Sequence, residues 1–277
     1  MTPMTPPLTL VVGSTGKTGR RVAERLAALG LPVRAGSRHS QPPFDWEDPT
    51  TWATAVDSVD RMYLTYYPDI AMPGAIEAID TVTRLAVERG VRRIVLLSGR
   101  GEPDAKAAED IVRASGVEWT VVRCAFFAQN FSESFLADGV RSGVIALPAG
   151  SVAEPILDVD DIADVVVAAL TGDAHVDRLY ELTGPRLLTF AQAAAEISAA
   201  TDREVRYVPV TADEYRSGVV AEGLPPDFAD MLTDLFTVIF DGRNESLSDG
   251  VQRALGREPR DFADFAARAA GSGVWVA

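Results

Sequence analysis

Residues 8–26 read LTLVVGSTGKTGRRVAERL, and the order of residue types in this stretch decides the fold. A short apolar run, Leu8 to Val12, meets a glycine at Gly13. From Lys17 to Leu29 the apolar positions Val22, Leu26 and Leu29 then fall at helical spacing. The stretch reads as strand, tight turn, helix. Gly13, Gly16 and Gly19 stand three residues apart across the turn. Gly13 permits the tight turn, Gly16 lets the backbone approach a pyrophosphate, and Gly19 lets the helix pack closely on the sheet. The free N–H groups and partial positive charge of the helix N-terminus face the phosphates. Gly16, Lys17 and Thr18 also mimic the end of a nucleoside-triphosphatase phosphate loop, but that motif needs glycine where this chain has Val11. The expected ligand is therefore a dinucleotide, with Gly13, Thr15, Gly16, Lys17, Thr18 and Gly19 as candidate contacts.

Outward from this unit the pattern repeats. Strands are expected at Pro32 to Gly36, Arg61 to Thr65, Arg93 to Leu97 and Glu118 to Arg123. Helices are expected at Pro49 to Val56, Pro73 to Arg89 and Asp104 to Ser115, with Gly90 and Gly116 as C-terminal stops. Strands alternating with helices imply an α/β fold, a doubly wound parallel sheet covered on both faces. After Arg123 the rhythm breaks into short extended segments, near Val144 to Leu147 and Leu179 to Leu182, among several helices. The expected organisation is an N-terminal tail over 1–7, a dinucleotide-binding portion over 8–124, and a smaller, mostly helical substrate-binding cap over 125–277, with room for strands that return to the sheet. No linker separates the halves, so one continuous body with a cleft between sheet and cap is expected. Asp158, Asp160 and Asp161 precede the apolar run Ile162 to Leu170 and Thr189 precedes another helix, so these read as caps and first-turn acids.

Composition excludes several classes. The chain has 277 residues, 47% hydrophobic and 24% charged, which is enough to build a core and unlike disordered or collagenous sequence. No apolar run approaches the ~18 residues that span a bilayer, and the start, MTPMTPP, lacks a secretory leader's basic region. A cytoplasmic location is expected. One cysteine, Cys124, and two histidines, His39 and His175, leave no ligand set for a metal cluster. A net charge of −14 repels phosphate backbones and anionic lipid, so the expected partner is a small molecule, not nucleic acid or membrane. The oligomeric state, monomer or homodimer, is left open.

The end of the second strand discriminates between coenzymes. NAD requires an acid there for its ribose hydroxyl. This chain instead has Ser37, Arg38 and His39 after Gly36, and an arginine beside a hydroxyl suits the 2′-phosphate of NADP(H) through charge-assisted hydrogen bonds. The alternative is a solvated loop arginine.

Several segments together resemble the NmrA-like branch of the atypical short-chain dehydrogenase/reductases, with similarity to the ergot-alkaloid reductases. They are GSTGKTG at 13–19, SR at 37–38, FDWED at 44–48, LLSGRGE at 96–102, SGVEWTVVR at 115–123 and QNF at 129–131. The resemblance implies a Rossmann-type fold with NADP(H). It implies Asp45 and Trp46 beside the adenine, Thr65, Tyr66 and Tyr67 beside the ribose and nicotinamide, and Ser98 and Gly99 at the cleft floor. Phe126, Phe127 and Asn130 would face the nicotinamide side of the substrate pocket. For the aromatic residues, packing is an equal alternative, and Asp45 could simply cap a turn. TYYPD and LLSGRGE carry more weight, because ligands of such sheets bind beyond the carboxyl ends of the strands.

The wider superfamily's acid is a tyrosine four residues before a lysine. Here the lysines are Lys17 and Lys106, preceded at that distance by Gly13 and Glu102. Without that dyad a simple ketone is a poor substrate, whereas an iminium, quinone or conjugated enone needs less help. Tyr66, Tyr67 or a water would give a proton where one is needed. No hydrolase constellation is present: HExxH, GxSxG and a cysteine paired with a nearby histidine are all missing. The expected function is NADPH-dependent hydride transfer to a small organic electrophile. The alternatives are a redox sensor that binds NADP(H) without turnover, or a redox-neutral isomerase or cyclase.

Overall fold

Leu10, Val11 and Val12 have no solvent exposure, as a strand covered on both faces requires. The computed structural model describes residues 6–134 and 136–276, so residues 1–5 of the expected tail lie outside the described residues. The described residues fall into two compact units.

The first unit takes residues up to Cys124 together with Val159–Leu182 and Gly250–Arg257. Its chain runs β1 (Thr9–Val12), α1 (Lys17–Ala28), β2 (Val33–Gly36), α2 (Trp52–Val56), β3 (Arg61–Leu64), α3 (Ala75–Glu88), β4 (Arg93–Gly99), α4 (Pro103–Ala114) and β5 (Glu118–Cys124). The second unit begins with α5 (Asn130–Glu133), α6 (Ala137–Ser142), β6 (Val144–Leu147) and β7 (Ala153–Glu154). The chain then returns to the first unit for α7 (Val159–Thr171) and β8 (Arg178–Leu182). After β9 (Leu188–Thr189), α8 (Phe190–Thr201), β10 (Arg206–Pro209), α9 (Ala212–Ala221) and α10 (Pro226–Ile239) in the second unit, α11 (Gly250–Leu255) belongs to the first and α12 (Phe262–Gly271) to the second.

The sheet of the first unit has the order β2-β1-β3-β4-β5-β8, and every pairing is parallel. The order reverses at β1, so the switch point where such sheets bind ligands lies beyond the carboxyl ends of β1 and β3. Gly90 and Gly116 both stand at φ +85° and end their helices as expected. The helix expected from Pro49 begins instead as a 3₁₀ turn, Pro49–Thr51, capped by Asp48, and α2 is correspondingly short. Leu179 to Leu182, read from sequence among the segments of the cap, pairs in register with β5 as the sheet's edge strand. The preceding α7 is the crossover helix such a parallel connection needs.

The acids at the start of α7 are paired with arginines. Asp160 pairs with Arg25 at 2.7 Å, and Asp161, fully buried, pairs with Arg257 at 2.7 Å. Arg257 also reaches Asp164 at 2.7 Å, so α1, α7 and the segment after α11 are tied by charge. Asp158, in the second unit, receives a hydrogen bond from Gln129 Nε2 at 2.7 Å and pairs with Arg268.

The second unit is organised around aromatic side chains. Phe131, Phe190, Phe236, Phe240 and Trp275 form one buried cluster, and Trp275 Nε1 donates to the Phe131 carbonyl at 2.7 Å. Two short two-stranded pieces, β10 with β6 and β7 with β9, complete it. Thr189 caps α8 in a reciprocal box with Gln192. Among the described residues no helix is long and apolar enough to cross a membrane.

Candidate active site

The turn from β1 into α1 holds its glycines for steric reasons. Gly13 has φ +67°, where side chains are strained, and a Cβ there would stand 2.8 Å from Thr65 Cγ2. A Cβ on Gly19 would stand 2.1 Å from the carbonyl oxygen of Gly13, so only glycine lets α1 pass this close. Gly16 N donates to Gly13 O at 2.8 Å. Gly16 is the N-cap of α1, with no side-chain cap and no acid in the first turn. A helix N-terminus that holds no anion of its own, beside backbone bare of side chains, fits a diphosphate. Thr15 and Gly16 are exposed at the mouth of the turn, whereas Thr18 is buried.

Gly13 N also donates to Gly36 O at 2.8 Å, and a Cβ on Gly36 would meet Val11 O at 2.9 Å. The end of β2 is thereby drawn against the glycine turn, and Ser37 and Arg38 follow directly. Ser40 Oγ accepts from Ser37 N and donates to Ser37 O, closing a tight loop. Arg38, on that loop, is exposed and makes no hydrogen bond or ion pair with any described residue.

Beyond the end of β3, Trp46 and Tyr66, residues the resemblance assigns to the coenzyme, form an aromatic wall. Trp46 donates from Nε1 to Thr65 O at 3.2 Å, and its ring lies 4.7 Å from that of Tyr66. Asp45 Oδ1 accepts from Glu47 N and the Asp45 carbonyl accepts from Trp52 Nε1, so Asp45 shapes its own turn. The two tyrosines diverge. Tyr66 is half-buried, and burial, with Glu47 and Glu77 adding to it, raises its pKa. Tyr67 is 74% exposed.

Beneath the end of β4, Ser98 Oγ donates to Glu109 Oε1 at 2.6 Å. Arg123 donates to both oxygens of the same carboxylate, at 2.8 and 2.6 Å, and reaches Glu181 at 3.3 Å. Ser98, Arg123 and Glu181 are register partners across β4, β5 and β8, so their side chains share a face. The Ser98 hydroxyl is thus committed to holding α4, and the next residue, Gly99, lies under the carboxyl of Glu102. Phe126, Phe127 and Asn130 belong to the second unit. There Phe126 packs edge-on against Phe131 and Phe190, Phe127 bridges to Leu157, and Asn130 is buried.

Sequence reasoning passed over two acids, Asp69 and Glu102, the last residues of TYYPD and LLSGRGE. They follow strands that pair directly, β3 and β4, and their carboxyls act on each other. The available signal was an acid shortly after each of two strands, which points to a pair only once those strands are known to be neighbours.

Residues 13–173 match the family model for NAD(P)H-binding, and residues 104–266 match that of the NmrA-like family. The chain is 31% identical to agroclavine dehydrogenase of Claviceps fusiformis, covering 92% of this chain and 95% of that protein. It is 30% identical to NAD(P)H azoreductase of Xenophilus azovorans, covering 93% and 96% respectively. The fold is shared with the triphenylmethane reductase of Citrobacter sp., solved with NADP(H), at TM-score 0.75 and 22% identity over 95% of this chain and 99% of that one.

Proposed function

The chain is an NAD(P)H-binding oxidoreductase of the NmrA-like family, and from that premise we propose that it uses NADPH to reduce a small conjugated or cationic organic electrophile. The observation that carries the coenzyme choice is the guanidinium of Arg38, exposed and unpaired among the described residues, two residues after Gly36, whose backbone is bonded to the glycine turn. The first-turn amides of α1 and the bare backbone of Gly13, Gly16 and Gly19 would hold the diphosphate. Ser37 and Arg38 would hold the 2′-phosphate, with Trp46, Thr65 and Tyr66 along the coenzyme. When bound, the reduced nicotinamide supplies a hydride.

The protein's own contribution is orientation and exclusion of water. The substrate class follows from what the chain lacks. With no tyrosine four residues before either lysine, an acceptor that tolerates hydride without strong carbonyl activation is favoured: an iminium, a quinone, an enone or a stabilised carbocation. The similar proteins are named for a clavine, an azo compound and a triphenylmethane dye.

Two measurements test this reading. NADPH deuterated at the transferring position should pass its label to product with at least one acceptor from this group. Complete retention of label across all of them would end the reductase proposal. Arg38→Ala should weaken NADPH binding roughly 10- to 100-fold, as expected for losing charge-assisted hydrogen bonds of about 1.5–3 kcal/mol. NADH binding should hold steady in the same calorimetric titration. Parallel losses for both coenzymes would show that Arg38 does not read the 2′-phosphate.

A further inference from the structure

Reducing a quinone or an enone consumes a proton as well as a hydride, and the tyrosines beyond β3 are ill-suited to give it. Tyr66 has its pKa raised by burial, and Tyr67 stands largely in solvent. The carboxyl end of the same sheet presents two carboxyls. Asp69 follows the end of β3 and Glu102 the end of β4, strands that pair directly, and the two acids act on each other. Two carboxyls set side by side away from water cannot both stay ionised, so one of them keeps a proton.

Glu102 is placed unusually for an acid at the start of a helix. It is the N-cap of α4, yet its side chain accepts no bond from that helix. Its carboxyl folds back over Gly99 instead, where a Cβ would stand 2.1 Å from Oε2 and 2.5 Å from Oε1. Oε2 is sealed from solvent and has no hydrogen-bond partner among the described residues, while Asp69 Oδ1 accepts from Ala71 N at 2.9 Å. Arg100 is paired with Glu181, Arg123 with Glu109 and Glu181, and Lys106 is exposed one turn further along α4. Glu47 and Glu77 act on Tyr66. Burial, and then the charge of Asp69, pushes Glu102 up to about 9, and burial also raises Asp69.

We propose that Asp69 and Glu102 together hold one proton at this strand-end site and give it to the substrate oxygen or nitrogen that carries an electron pair after hydride has been accepted. As the carboxyl O–H bond breaks, an O–H or N–H bond forms in the product. The pair is left as two carboxylates until water restores the proton. This role rests on the reductase reading, whereas the sharing of the proton does not.

The test compares wild type with Glu102→Gln, and with Gly99→Ala, whose methyl group would displace the carboxyl without removing it. Two acceptors are used with NADPH: a quinone, which needs a proton, and a cationic triarylmethane dye, which hydride alone converts to a neutral product. The ratio of quinone to dye turnover should fall about 100-fold in Glu102→Gln, within the usual worth of general acid catalysis. An equal fall for both acceptors would reduce Glu102 to a structural residue and overturn the proposal.

The second readout needs no turnover. Glu102 ionises in the unfolded chain near its ordinary 4.5 but stays protonated in the fold to about 9, so the native state loses stability as pH rises between those values. The urea midpoint of coenzyme-free Glu102→Gln should therefore gain steadily on wild type from about pH 5 to about pH 9. A gap independent of pH would show that the pair holds no proton. If wild type reduces neither acceptor, the reductase reading and the donor role fall together, and the urea series still decides whether the pair holds its proton.

Discussion

Gly19→Val is expected to cost the fold about 3 kcal/mol or more, above the middle of the range for overpacked sites, and to abolish NADPH binding detectable by calorimetry. The reason is that the atom a side chain would strike, the Gly13 carbonyl oxygen at 2.1 Å from the Cβ position, is backbone. It cannot rotate away. Moving α1 outward would relieve the overlap, but it would also pull the first-turn amides from the place proposed for the diphosphate. Urea unfolding and a coenzyme titration on the same sample check both parts. Gly218→Ala serves as the contrast, because Gly218 lies inside α9 with nothing within 4 Å of its Cβ position. That substitution should stabilise by about 0.5–1 kcal/mol through helix propensity alone. A Gly19 variant that keeps wild-type stability and NADPH affinity would show that close helix passage is not what this glycine provides.

Arg123→Met is expected to destabilise by about 3–5 kcal/mol, the cost of leaving a buried charge without its partner. Glu109 is 1% exposed and depends on Arg123 for both carboxylate oxygens, with the Ser98 hydroxyl as its one other hydrogen-bond donor among the described residues. The double change Arg123→Met with Glu109→Leu should recover most of the loss, because a matched apolar pair removes the desolvation penalty along with the attraction. Glu181 keeps Arg100 at 2.9 Å in either variant. Denaturation of the two single variants and the double one gives the coupling energy directly. Additive losses would mean that the two residues stabilise the sheet separately.

The glycine turn and the loop after β2 were legible in the sequence because their geometry is local. Gly13, Gly16 and Gly19 mark a turn, and Ser37 and Arg38 follow a strand at a distance the fold class dictates. The acids of α7 were read only in part. Capping can be seen in a dozen residues, but pairing with Arg25 and Arg257 joins positions more than 90 residues apart. Ser98 was expected at the cleft floor, and its hydroxyl instead serves Glu109, a partner visible only once α4 is laid on the sheet.

From the sequence by itself came the alternation of strand and helix, the glycine turn, and an arginine where an acid would have specified the other coenzyme. Steric demands on a backbone are met within a few residues, so they leave a local trace. Tertiary structure alone decided that β8 closes the edge of the sheet beside β5, that Arg123 spans two carboxylates, and that Asp69 meets Glu102. Those facts depend on which strands become neighbours. That order is set by the burial of whole faces and by charges brought together from distant parts of the chain, and no short window of residues contains it.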